Sequence, residues 1–250
     1  MMIDIPASLA VESYCYRGFT DNAKTAELVN QCGLSRIEIC GVHVDFADES
    51  AFDGVIQTYN DAGIHIVGLA VCEFSNDEAR ERKYFEFARR CGARYLAADF
   101  VIDTVPAAFD TAQKLADEYD INVSIHNHGG WHWLGNSQTL ANVFANTSSR
   151  IGLCLDTAWA MCAQEDPIAM VERFADRLHA VHVKDFIFDR TGKQQDVVVG
   201  TGNLDLRKLY ETFEKIGFTG QAVLEYEGDV DDPVPALKQC VEAIQAKMRA

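Results

Sequence analysis

A chain of 250 residues fits one large α/β domain or two small ones and can bury a sizeable core. Its 48% hydrophobic and 24% charged residues are ordinary for a soluble globular protein. The formal net charge of −16 disfavours nucleic acid and anionic membrane surfaces as partners.

The eight cysteines show no C-x-x-C spacing, and most sit in apolar runs or on helix faces. Buried reduced thiols are therefore expected, not a disulfide framework or a zinc knuckle. The start MMIDIPASLAVES lacks a basic segment before a long apolar core, and no apolar run approaches a membrane span. The expectation is a soluble, cytoplasmic protein without a membrane partner.

Strand and helix alternate from the start. Strands are expected near residues 8–14, 36–40, 65–71 and 94–100, with helices over 23–32, 51–62, 76–90 and 106–119 between and after them. Glycines at 33, 63, 92 and 217 fall where these and a later helix should stop. A fifth strand over 122–126 leads into the aromatic loop NHGGWHWLGN and a helix over 137–145. Residues 151–186 then read as strand, helix, strand: IGLCLDTAW, DPIAMVERFADR and LHAVHVKDF. A polar loop, FIFDRTGKQQDVVVGTGN, precedes a helix over 205–216, an eighth strand over 222–226 and a final helix from 235.

Eight strand–helix units in about 250 residues match a closed (β/α)8 TIM barrel, taken here as a single domain over residues 1–250. An open doubly wound sheet is the alternative, but no glycine-rich dinucleotide fingerprint follows the first strand.

Parallel sheets keep their active sites at the carboxyl ends of the strands. Side chains alternate along a strand, so His126 shares a face with His128, His182 with Lys184, and Glu225 with Glu227. Asp156 closes the sixth strand. Four successive strands thus each deliver an ionisable group to one end. A mixed histidine–carboxylate set suits Mn²⁺, Zn²⁺, Co²⁺ or Fe²⁺ better than Mg²⁺, and Asp156, His182 and Glu225 are read as metal ligands. His43 and His65 are read as hydrogen-bonded core histidines, and Asp166 and Asp205 as helix caps. Trp131, Trp133 and Trp159 read either as pocket lining for a sugar's C–H faces or as a hydrophobic lid. The GTG of VVVGTGNLDL invites a phosphate-cradle reading, but a turn before the helix explains it adequately.

The runs GLCLDTAW, HAVHVKD, VVGTGNLDL and VLEYEGD, in this order, resemble the xylose-isomerase-like TIM barrel superfamily. More narrowly they resemble its sugar phosphate isomerase/epimerase branch, which includes tagatose epimerases, inosose dehydratases and endonuclease-IV-type enzymes. The likeness is close from about residue 122 onward and rests on rhythm alone before that. It implies a divalent metal held by Glu, Asp, His and Glu at the ends of strands five to eight. Here these become His126, Asp156, His182 and Glu225, with His126 of HNH standing where many members carry a glutamate. The exchange removes one negative charge and one of two opposed carboxylate bases. Glu38 or Glu73, on the second and third strands, would compensate if either reached the barrel mouth.

The resemblance implies proton abstraction next to a carbonyl of a keto sugar. Glu225 or His126 would be the base and Lys184 the group that stabilises oxyanion charge. His128, Trp131, Trp159, Glu38 and Glu227 would contact substrate. The expected activity is a metal-dependent sugar isomerase or epimerase, with a dehydratase or lyase using the same metal as the alternative. A non-catalytic sugar-binding or subunit barrel is a third reading. A DNA-repair endonuclease needs a positive groove that a chain of charge −16 supplies poorly. A homodimer is a further expectation from the branch.

Overall fold

The computed structural model describes residues 8–248. Within them the first half runs β1 (Ala10–Glu12), α1 (Asn22–Gln31), β2 (Arg36–Ile39), α2 (Phe52–Asp61), β3 (His65–Phe74), α3 (Glu78–Cys91), β4 (Tyr95–Phe100) and α4 (Ala107–Tyr119). The second half runs β5 (Asn122–His126), α5 (Ser137–Ala145), β6 (Ile151–Asp156), α6 (Thr157–Cys162), α7 (Pro167–Arg173), β7 (Leu178–Val183), β8 (Phe186–Phe188), β9 (Gln194–Asp196), α8 (Leu206–Ile216), β10 (Gln221–Leu224) and α9 (Val234–Met248). Strands β1 to β7 and β10 close into one parallel barrel in the order β1-β10-β7-β6-β5-β4-β3-β2, the (β/α)8 architecture expected from the rhythm.

Burial on both faces explains why the strands read as unbroken apolar runs: all six residues of β6, IGLCLD, are buried. Small side chains of Ala70, Ala97, Cys154 and Ala180 pack around Tyr95 as a separate cluster, and the larger core includes strand and helix residues. Helix α3 shows the logic of the outer layer. Asp77 caps it by accepting from the Arg80 amide at 3.2 Å, and Glu78 and Glu81 in the first turn oppose Arg89 and Arg90 in the last, as the helix dipole favours. Gly92 ends it in the left-handed conformation, φ 79°. Its apolar face is Tyr84, Phe85, Phe87 and Ala88, and Phe87 packs edge-on against Phe52 at 5.0 Å and Phe46 at 5.6 Å. Truncating Phe87 to alanine would cost about 3–5 kcal/mol through lost burial and the cavity left behind.

Three local features differ from the sequence reading. Strand β3 runs to Phe74, three residues past the expected end, through a register shift between Leu69 and Cys72 that aims Val71 at the barrel mouth. Strand β6 closes at Asp156 as expected, but the TAW that follows it forms a short helix, α6, that the sequence pattern does not reveal. The polar loop after β7 contains the antiparallel hairpin β8–β9. Its strands have three residues each and β9 is all polar, so no alternation was available to reveal it.

The remainder of that loop is organised by Asp185. Its buried carboxylate accepts from the amides of Gly200, Gly202 and Leu204, each at 2.9 Å. A Cβ on Gly202 would lie 2.5 Å from Asp185 Oδ1, so glycine is required for this approach. The two glycine amides of GTG that could have cradled a phosphate are thus turned inward onto the protein's own carboxylate, and the Thr201 amide bonds the Val198 carbonyl at 3.0 Å. Asp166 and Asp205 cap α7 and α8, accepting from the amides of Ile168 at 2.9 Å and Lys208 at 3.0 Å. His43 is a buried core histidine bonded to the Phe19 carbonyl at 2.9 Å, whereas His65 is exposed at the start of β3. All eight cysteines are free thiols. No described helix is long and apolar enough to cross a membrane.

Candidate metal centre and substrate cavity

Four adjacent strands, β5, β6, β7 and β10, bring His126, Asp156, His182 and Glu225 to one place at the carboxyl end of the barrel. Asp156 and His182 are direct register partners, and Glu225 follows the last residue of β10, its amide bonded to the Val183 carbonyl at 3.3 Å. All four side chains are buried, and one donor atom from each lies within 4.8 Å of the others. His182 Nδ1 lies 2.7 Å from Glu225 Oε2 and 3.2 Å from His126 Nε2, and His126 Nε2 lies 3.7 Å from Asp156 Oδ2.

The residues fit a divalent metal. Asp156 spends Oδ1 on capping α6, accepting from the Trp159 amide at 2.7 Å, and leaves Oδ2 buried with no hydrogen-bond partner among the described residues. A buried, unpaired carboxylate oxygen is costly unless a cation satisfies it. Asn127 fixes the same strand end, accepting from the Asp156 amide at 2.8 Å and donating to the Asp156 carbonyl at 3.1 Å. On the far side of the ring, His182 Nε2 lies 2.6 Å from Glu38 Oε2. This carboxylate–histidine arrangement fixes the ring and sets Nδ1 toward the other three donors.

Electrostatics sorts the groups. Burial, with His128 and His182 nearby, holds His126 well below the ordinary histidine range, so it is neutral and able to ligate. Burial raises Asp156 to about 7. His182 stands well above its usual value: burial opposes its charge, but the fields of Cys154, Glu38 and Glu225 outweigh it. Glu225 behaves oppositely: burial would raise it, but Lys184 and His182 hold it well down, so it is ionised. Lys184 is wholly buried, bonded to Glu225 Oε1 at 2.8 Å and to Glu227, with Asp196 at 3.9 Å.

A cavity of about 320 Å³ opens beside this cluster, and neither Asp156 nor Lys184 is among its lining residues. His128, Trp159 and Glu227 line it, together with His126, His182 and Glu225. Trp131 is wholly exposed and lies away from this lining. Trp133 packs against the core and donates its indole N–H to the Phe100 carbonyl at 3.0 Å. Glu38 lies beneath the cavity on His182, and Glu73 turns outward to pair with Arg80 at 3.2 Å. His132 accepts from the Leu134 amide on Nδ1 at 3.3 Å, which places its ring proton on Nε2, 3.2 Å from Asp99 Oδ1. That pair steadies the aromatic loop.

Two further acids escaped the sequence reading. Glu12, the last residue of β1, lines the cavity almost wholly buried, with Oε2 on the Tyr14 amide and Oε1 unpartnered. It repeats the signal that marked the other strand ends, an apolar run closed by a carboxylate. Asp196, from β9, reaches Lys184 across the hairpin, and burial raises it to about 7. Nothing in its polar surroundings distinguished it.

The sequence matches the profile described as xylose isomerase-like TIM barrel over residues 26–247. The chain belongs to this family. Among its relatives are the rhizopine catabolism protein MocC of Rhizobium meliloti, 27% identical over 140 residues, and the inosose dehydratase of Bacillus velezensis, 25% identical over 205 residues. These matches cover 50% and 75% of this chain but 42% and 61% of the relatives, so the chain spans about half the length of the curated relatives it matches. Solved structures share the fold. The IOLI protein with a bound zinc atom superposes with a TM-score of 0.75 at 17% identity, covering 96% of this chain and 99% of its own. The probable 3-DHS dehydratase AsbF of Bacillus anthracis superposes with a TM-score of 0.75 at 12% identity, covering 95% and 98%.

Proposed function

We propose that the protein is a divalent-metal-dependent enzyme that abstracts a proton next to the carbonyl of a keto sugar or keto polyol, in the manner of a sugar isomerase or epimerase. The observation that carries this reading is the convergence of His126, Asp156, His182 and Glu225 within 4.8 Å beside a small cavity. The same reading gives a single domain over residues 1–250. A metal held there would polarise the substrate's carbonyl or hydroxyl oxygen; Mn²⁺, Zn²⁺, Co²⁺ and Fe²⁺ suit the donor set better than Mg²⁺.

The remaining roles fall to the chain's own groups. Glu225, held ionised, is the base for the α-proton, with neutral His126 and His128 beside it to carry protons at the reacting carbons. Lys184, buried behind the cavity wall, bonds Glu225 and keeps it deprotonated. Trp159, 5.4 Å from Lys184 Nζ, walls the cavity and offers a flat face to a sugar ring.

One observation favours dehydration as a second outcome of the same chemistry. With His126 in place of a carboxylate on β5, Glu225 has no opposed carboxylate base there. A single carboxylate base suits loss of a β-hydroxyl as water, with the proton that Glu225 takes from the α-carbon returned to the leaving oxygen, and inosose dehydratases are among the relatives.

The test is proton exchange. In heavy water the metal-loaded protein should place deuterium at the carbon next to the carbonyl of at least one member of a keto sugar and inosose panel. The product then distinguishes isomer, epimer and alkene. Absence of exchange across the panel with every transition metal would leave a sugar-binding barrel as the function.

A further inference from the structure

A second cavity, of about 660 Å³, opens at the opposite end of the barrel, where the strands begin. Its basic side chains come from three neighbouring strands. Arg36 is the first residue of β2, His65 the first of β3, and Arg94 immediately precedes β4. Arg36 and His65 are direct register partners, and the Arg94 amide bonds the Val67 carbonyl at 3.4 Å. His179 of β7 and Asn122 of β5 add polar groups to the wall.

The charge balance of this cavity opposes that of the chain. Acidic residues outnumber basic ones 38 to 22, yet among the described residues none that lines it is acidic. Several other guanidinium groups are engaged, whereas among the described residues Arg190 is unpaired and Arg173 has only the Phe174 ring. Arg82, Arg89, Arg90 and Arg150 pair with carboxylates, and Arg177 donates to four backbone carbonyls. The side chains of Arg36 and Arg94 have no hydrogen-bond or ion-pair partner among the described residues, although both residues line the same cavity. Two unpaired guanidinium forks on one recess, one half-buried and one exposed, can recognise a planar or tetrahedral oxyanion bidentately.

We propose that this basal cavity binds a small molecule carrying a phosphate group. Two guanidinium groups match the charge of a phosphate dianion, and His65 supplies a third donor from between them. The volume exceeds that of a bare phosphate and leaves room for a carbon skeleton. Strand β6 alone sets about 15 Å between this end and the metal centre, so the site is separate from the catalytic cavity and suits an effector. It does not depend on the reaction proposed above.

Inorganic phosphate and pyrophosphate are the probes, titrated calorimetrically into the full-length protein at low ionic strength. One saturable site per chain is expected, with affinity falling as salt is added. Arg36→Gln and Arg94→Gln should each weaken binding by about tenfold or more, and the double variant should abolish it. Neither side chain has a partner to lose, so the variants should keep the wild-type circular dichroism and metal content. A chelator-treated wild type should bind as before. Absence of saturable binding, or binding that survives in the double variant or disappears on chelation, would overturn the proposal.

Discussion

His182 Nε2 lies 2.6 Å from Glu38 Oε2, with both side chains sealed from solvent. The contact links β7 to β2 across the barrel and gives the candidate metal ligand a fixed ring orientation. Glu38→Ala should therefore lower metal affinity by about 10–100-fold, although Glu38 is not itself one of the four donors. A competition assay with a chromogenic chelator reads this directly, and Glu38→Gln, which keeps an acceptor oxygen, should recover part of the loss. Equal affinity in wild type and alanine variant would assign Glu38 to barrel packing alone.

Metal affinity should fall on acidification. Asp156, raised to about 7 by burial, and His182, held well above its usual value, both carry protons in the metal-free protein at mildly acidic pH. Binding must displace those protons, so each group pushes apparent affinity the same way: weaker as pH drops from 8 to 6. Proton release measured by calorimetry in buffers of different ionisation enthalpy should be positive across this range.

Glu12 should behave as a group kept for function at a cost in stability. Burial, reinforced by Glu225 and Glu38, raises its carboxyl well above the usual range. A carboxyl whose folded-state pKa is raised leaves the folded state most favoured at low pH and penalises it as pH rises. Glu12→Gln should accordingly raise Tm by a few degrees near neutrality, with the gain vanishing near pH 4. The same variant should retain its metal and lose activity, since the carboxylate faces the cavity with an unpartnered oxygen. A stable variant with wild-type kcat/KM would remove Glu12 from the site.

Asp185 holds the loop between β9 and α8 through three amides. Asp185→Ala would strand those N–H groups and should cost about 3 kcal/mol or more, read as a lower denaturant midpoint.

Much of this was legible in the sequence because burial on both faces leaves little room for ionisable groups within barrel strands. An ionisable residue at the end of an apolar run, as in IGLCLD and HAVHV, therefore stands out. The barrel followed from the count of strand–helix units, and the placement of His126, Asp156, His182 and Glu225 at one end of it from that contrast. Glu38 was found as a residue but not in its position: alternation along RIEI says that it faces inward, while only the closed barrel shows that it meets His182 from the opposite wall. Trp131 and His65 misled for the same reason, since residue type says nothing of direction in a loop or at a strand's start. Asp196 was invisible because a three-residue polar strand carries no periodicity.

The central claim is one metal ion held by four side chains, and elemental analysis tests it most directly. Wild-type protein, purified without chelator or reconstituted, should contain one divalent transition metal per chain. His182→Ala, with a wild-type far-ultraviolet circular dichroism spectrum, should contain almost none. A wild type that holds no metal even after reconstitution, or a His182→Ala variant that holds as much as wild type, would contradict the account.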